Sequence, residues 1–182
     1  MVGLPARLLV DKGVFEFVEV AKRVNKGRKI ANFRLIGDVD PENPNSIQKE
    51  EIEKWVNQDL VEWFGFAADM VNALNQVHVI CFPSYREGLP KALLEALACS
   101  KPVVAFDVPG CREVVQNGKN GYLIGFKDVD LMASKVTNLA INSDLRNKFG
   151  FSGRNLVEHR FSQDAIQTQF RRLWAECINS QI

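Results

Sequence analysis

Histidine is nearly missing from this 182-residue chain: His78 and His159 are the only two. They stand far apart in sequence, which excludes a multi-histidine metal centre and leaves histidine acid–base chemistry little to work with. Cysteine is sparse and unpatterned. Cys81, Cys99, Cys111 and Cys177 form no C-x-x-C pair and no zinc-site spacing. Cys81 and Cys99 sit in the apolar runs VHVICF and LLEALAC, where a reduced cysteine behaves as a small hydrophobe. Cys111 stands in a glycine-rich turn, where its reading is open between a buried thiol and a partly exposed one. This usage points to a reducing, cytoplasmic compartment. Net charge is lacking too: 23 basic against 22 acidic side chains leave +1, which gives no electrostatic case for nucleic acid as a partner. No run approaches the ~20 apolar residues that span a bilayer, and the N-terminus has no signal-peptide apolar segment.

What is present is globular composition, 46% hydrophobic and 25% charged, in a length that suits one domain or half of a two-domain protein. Met-Val-Gly leads straight into a strand-like run, so the chain reads as a piece of something longer. Val2 to Val10 reads as a strand and turn, with Pro5 against a central strand. VFEFVEVAKRV places Val14, Phe17, Val18, Ala21 and Val24 at helical spacing, and Asn25-Lys26-Gly27 stops it. Ile30 to Ile36 reads as a strand, GDVDPENPNS as a loop, Ser46 as the N-cap of a helix through Trp55, and LVEWF as a strand. A short helix at Met70 to Leu74 precedes the buried strand VHVICF. LPKALLEALAC is a helix, PVVAF and GYLI are strands, and GCREVVQNG is a helical turn between them. Asp128 caps a helix through Ala140; further helices cover Leu145 to Glu158 and Ser162 to Cys177. Alternation of this kind predicts an α/β fold, a parallel sheet of about six strands with helices on both faces. Residues 1–124 form the repeating core and 125–182 the closing helices, a single domain in all. Ligands of such sheets collect at the carboxyl ends of the strands.

The residues just after the strands are therefore the candidates. In PSYREGLPKALLEALAC, Gly88 allows close backbone approach and Pro90 suits a first helical turn. The N–H groups of Gly88, Leu89 and Lys91 then offer an anion site at the helix start. Glu95 lies in an otherwise apolar helix, where a carboxylate is costly unless something bonds it. It either pairs with Lys91 one turn earlier or accepts hydrogen bonds from ligand hydroxyls. Glu87 and Glu95 are eight positions apart, on the order of 12 Å along a helix, about the reach between two sugars across a diphosphate. Arg7 and Lys12 bracket the turn after the first strand in ARLLVDKG; such a pair either is solvated surface or binds phosphate, Arg as a fork and Lys as a point charge.

R-x(4)-K-G followed by E-G-L-P-x(4)-E, within the run PSYREGLPKALLEALACSKPVVAFDVPGCREVVQNGKNGYLI, resembles the C-terminal, donor-binding domain of family-4 retaining glycosyltransferases, whose two-domain plan is called GT-B and whose halves are Rossmann-like. The resemblance covers about Val2 to Ile124. PARLLVDKG and the GDVDPENP loop look most like bacterial enzymes of cell-surface polysaccharide or lipid-linked oligosaccharide synthesis. It implies transfer of a hexose or N-acetylhexosamine from a nucleoside-diphosphate sugar, UDP-linked on family grounds, to a saccharide or lipid-linked acceptor. Arg7 and Lys12 would neutralise the diphosphate, Glu87 would contact the transferred sugar, and Glu95 the ribose. The amides of Gly88 and Leu89 would meet the sugar or distal phosphate, and Gly37 and the stretch Phe64 to Phe66, with Phe66 in it, would border the base. No cofactor or metal is implied. The family's acceptor site lies on an N-terminal domain for which this chain has no room, so the piece alone is expected to be inactive. The parent would work in the cytoplasm, at the inner face of the membrane. Ser100 departs from the family's usual Gly at a helix end. The rivals are a non-catalytic nucleotide-binding α/β module, which gives no reason for Glu95, and a nucleotide-sugar epimerase or phosphorylase, whose extra acid–base groups or cofactor lysine are not visible.

Overall fold

Short β-branched and aromatic runs make six strands, and the longer amphipathic runs between them make the covering helices. The computed structural model describes residues 1–179. In chain order the elements are β1 (Val2–Pro5), a 3₁₀ turn (Val10–Lys12), α1 (Val14–Val24), β2 (Phe33–Ile36), α2 (Lys49–Asn57), β3 (Glu62–Gly65), α3 (Met70–Asn75), β4 (Val79–Phe82), α4 (Lys91–Ala98), β5 (Val103–Phe106), α5 (Pro109–Val114), β6 (Gly121–Ile124), α6 (Val129–Ile141), α7 (Ser143–Arg160) and α8 (Gln163–Asn179). The sheet runs β3-β2-β1-β4-β5-β6, and every pairing is parallel. The order reverses between β1 and β4, which makes the crevice at their carboxyl ends the topological switch point.

Strands β1, β4 and β5 are buried along their whole length, as expected where helices cover both faces of a parallel sheet. Helix α1 packs on α6, and α4 packs on α7 and α3. Phe17 of α1 meets Phe33 of β2 edge to face, centroids 5.4 Å apart. Helix starts are tied down as their sequence suggests. Asp128 accepts from Leu131 N at 3.0 Å, Asp69 from Asn72 N and Asn142 from Leu145 N.

Two local expectations need correction. The strand read from Ile30 begins only at Phe33, because the N–H groups of Ile30 and Ala31 donate to Asn25 Oδ1 at 2.8 and 3.1 Å instead of joining the ladder. Ser46 does not cap α2. Its hydroxyl accepts from Asp40 N at 2.9 Å, and Gln48 is the residue at the cap position. Cys111, whose exposure the sequence leaves open, is fully buried, since α5 turns it inward, and burial, with Glu87 next in importance, pushes its thiol up to about 12. Ser100 takes φ 57°, the left-handed position after α4. Its N–H reaches Leu97 O and that of Lys101 reaches Ala96 O, both at 2.9 Å, which is a Schellman closure built without glycine.

Candidate functional site

At the switch point the segment after β1 lies against the loop between β4 and α4. Gly13 N-caps α1 at φ 72°, and a Cβ there would stand 2.0 Å from Pro83 O. Only glycine lets the two segments approach this closely. Tyr85 N donates to Asp11 O at 2.8 Å, and the Tyr85 hydroxyl bonds Glu16 of α1. Partial burial, then that bond, pushes the Tyr85 phenol upward. Lys12 Nζ sits 2.8 Å from Glu87 Oε1, the two side chains 20% and 11% exposed. Ser84 Oγ lies 2.6 Å from the same oxygen. The two candidates Lys12 and Glu87 are thus brought into direct contact. From the other side, Gly110 of α5 comes so close that a Cβ would meet Gly88 O at 2.4 Å and Glu87 O at 2.5 Å.

Helix α4 starts at Lys91, two residues later than the run LPKALLEALAC suggests, with Pro90 at the N-cap. The Pro90 carbonyl takes the N–H groups of Leu93 and Leu94, so the first turn's earlier N–H groups are not consumed by the helix. Glu87 lies in the loop, so the helical rise covers only the later part of the interval to Glu95.

Beside this contact is a cavity of about 490 Å³, of a size that suits a small ligand. Among its lining residues are Arg7, Gly37, Phe66, Met70 and Glu95. Four of the predicted site residues therefore share one hollow, while Lys12, Glu87, Gly88 and Leu89 stand outside its wall. Arg7 is 65% exposed and pairs with Asp40 at 3.2 Å. The loop that supplies Asp40 is laced to the segment after β1 by Leu8 N to Asp38 O, Val10 N to Asn45 O and Ile47 N to Leu8 O. Gly37 has no room for a side chain: a Cβ would lie 1.9 Å from Ala6 O. Its N–H donates to Gly65 O at 2.9 Å and its carbonyl accepts from Trp63 Nε1 at 3.0 Å. Phe66 stands 78% exposed at the rim, whereas Phe64 turns to Arg34 instead.

Glu95 is not buried. At 32% exposed it pairs with the open Lys91 at 3.3 Å, so the bland reading of that carboxylate is present in the structure, and its place in the cavity wall keeps the other open. The chain also holds two Asp-x-Asp triplets, Asp38-Val39-Asp40 and Asp128-Val129-Asp130. Asp38 accepts from Val39 N, Asp40 pairs with Arg7, Asp128 caps α6, and Asp130 pairs with Arg23. Ser84, Asp40 and Gly110 were missed. Ser84 had a usable signal, a hydroxyl two residues after the end of β4; the other two are visible only once the loops are folded.

Residues 1–156 match the family described as Glycosyl transferases group 1. The chain is 35% identical over 162 residues to an N,N'-diacetylbacillosaminyl-diphospho-undecaprenol alpha-1,3-N-acetylgalactosaminyltransferase of Campylobacter jejuni, covering 89% of this chain and 39% of that one. It spans less than half the length of the curated relatives it matches. Among solved structures, a point mutant of TarM of S. aureus, in complex with Fondaparinux, alpha-GlcNAc-glycerol and UDP, superposes with a TM-score of 0.83 at 26% identity, over 94% of this chain and 34% of that one. The C-terminal domain of a glycosyl transferase group 1 family protein (LpcC) from Francisella tularensis superposes with a TM-score of 0.77 at 27% identity, over 89% of this chain and 86% of that one. The six-stranded sheet is the Rossmann-like α/β unit of GT-B glycosyltransferases, and the chain belongs to the group 1 glycosyl transferases.

Proposed function

We propose that the chain is the donor-binding half of a retaining glycosyltransferase that moves a hexose or N-acetylhexosamine from a UDP-linked sugar to a saccharide or lipid-linked acceptor in bacterial surface polysaccharide synthesis. The observation that carries this reading is the meeting of the β1 and β4 loops at the switch point, with a cation–carboxylate pair beside a cavity of about 490 Å³. In this assignment the base and ribose occupy the cavity, bordered by Gly37 and Phe66, with Glu95 accepting from the ribose hydroxyls. The diphosphate lies toward Arg7, Lys12 and the α4 start, where negative charge developing on the leaving group is stabilised electrostatically. Glu87 holds the transferred sugar, and the amides of Gly88 and Leu89 face the sugar or the distal phosphate. Lys12 has three donors, so it can keep Glu87 and still reach a phosphate oxygen. The departing phosphate takes the proton of the incoming hydroxyl. Bound UDP in the TarM structure supports the choice of base. The acceptor-binding groups are assigned to the rest of the whole protein, since this chain spans under half of its relatives, and turnover by the chain alone is expected to be negligible. The test is calorimetric titration of UDP-N-acetylglucosamine, UDP-N-acetylgalactosamine, UDP-glucose and a GDP-sugar, with Lys12→Ala and Glu95→Ala as controls. Binding of a UDP-sugar that both variants weaken supports the site. Binding of none, or equal binding by both variants, removes it.

A further inference from the structure

Ser84 is fully buried, yet it carries a hydroxyl in the loop that brings Glu87 to the switch point. Its one proton has two acceptors within reach, Glu87 Oε1 at 2.6 Å and Asp11 O at 3.3 Å. Asp11 O already accepts from Tyr85 N at 2.8 Å. The shorter bond to the ionised acceptor takes the proton. Lys12 Nζ donates to the same oxygen at 2.8 Å, so among the described residues each hydrogen bond that the carboxylate accepts falls on Oε1. Oε2 is left unspent, and it is not the buried unpartnered oxygen of the described residues, which is Glu16 Oε2. Lys12 is a point charge on a flexible stem and does not by itself fix how the carboxylate turns. A hydroxyl held in a buried backbone turn three residues away does.

We infer that Ser84 is a positioning residue: it fixes the rotation of the Glu87 carboxylate so that Oε2 is presented to the hydroxyls of the transferred sugar. The inference rests on the donor-site reading above. Two variants separate donation from packing. Ser84→Ala removes the hydroxyl, and Ser84→Cys keeps the shape with only a weak donor. UDP-N-acetylglucosamine and UDP are the probes. Both variants should bind the sugar nucleotide roughly tenfold more weakly, as for loss of a hydrogen bond to a charged group, while binding UDP as the parent does. Ser84→Ala should add nothing further on top of Glu87→Gln. Crystal structures of both ligand-free variants should show the Glu87 carboxylate rotated off Lys12. Equal loss for UDP and the sugar nucleotide, full rescue by Ser84→Cys, or an unmoved carboxylate would overturn the inference. If neither probe binds the parent chain, the donor-site reading fails on its own, and the ligand-free structures still decide whether Ser84 holds Glu87.

Discussion

Gly110→Ala asks whether the wedge between α5 and the Glu87 loop matters. Gly110 is the second residue of α5, and its backbone shows no positive φ, so alanine would be accepted locally and would gain up to about 1 kcal/mol of helix preference. The obstacle is across the gap. The new methyl would lie 2.4 Å from Gly88 O, 2.5 Å from Glu87 O and 2.6 Å from Glu87 C, all backbone atoms. Ordinary contacts of a carbon to such atoms are on the order of 3.3–3.6 Å, so the two segments must part by about 1 Å. Neither gives cheaply: Lys12 and Ser84 hold Glu87, while buried Cys111 and Val114 anchor α5. Overpacking of this kind costs about 1–3 kcal/mol, which exceeds the helix gain. A net loss of about 1–2 kcal/mol is expected, a fall of about 2–8 °C in melting temperature for a chain of this size. Because a shift of about 1 Å also moves Glu87 and Gly88, UDP-sugar affinity should fall roughly tenfold, in keeping with the cost of small misplacements at reacting centres. Gly125→Ala is the control, since its Cβ meets nothing within 4 Å. Scanning calorimetry and titration decide the matter. A Gly110→Ala protein that melts higher than the parent and binds a UDP-sugar equally would refute the wedge.

Gly88→Ala should do the opposite of Gly110→Ala. Its Cβ would meet nothing within 4 Å, so urea midpoints should stay within about 0.5 kcal/mol of the parent, while UDP-sugar affinity drops because the methyl stands where the ligand approaches. Lys12→Ala should cost about 2 kcal/mol in urea unfolding, since it strips a mostly buried carboxylate of its cation, whereas Arg7→Ala should cost under about 1 kcal/mol because its pair is largely open to solvent. Equal costs would contradict the burial argument. Ser100→Gly should stabilise by about 0.5–1 kcal/mol by relieving a left-handed serine; a lower urea midpoint would show that the glycine's unfolded-state entropy wins.

The parallel sheet was legible because β1, β4 and β5 are buried runs without alternation, and α1 because five of its core residues fall on one helical stripe. Boundaries failed where a side chain replaced a backbone partner: Asn25 takes the N–H groups that Ile30 and Ala31 would have given a strand, and Ser46 spends its hydroxyl on Asp40 instead of α2. Cys111 could not be placed from the sequence because its glycine neighbour is compatible with an open turn, whereas in the fold that glycine lets α5 press against another backbone. At the site, chain order showed which loops carry charge but not how the charges pair. Arg7 and Lys12 look equivalent in ARLLVDKG, yet the fold gives one a partly exposed partner across a loop and the other a mostly buried partner in the loop after β4.

That difference assigns them different work on the proposed reading. Arg7–Asp40, Lys12–Glu87 and Lys91–Glu95 are each closed in the ligand-free chain, so a diphosphate meets cations that are already paired and gains only the difference between old and new partners. For Arg7 and Lys91 the old partner is weak, because exposed pairs are worth about 0–1 kcal/mol. For Lys12 it is not, since opening the pair would leave Glu87 with Ser84 alone. The cheaper path is for Arg7 to swing from Asp40 to the phosphate while Lys12 stays on Glu87 and donates a second proton outward. Lys12 then couples the phosphate position to the orientation of the carboxylate that meets the sugar, and Arg7 supplies affinity without that coupling.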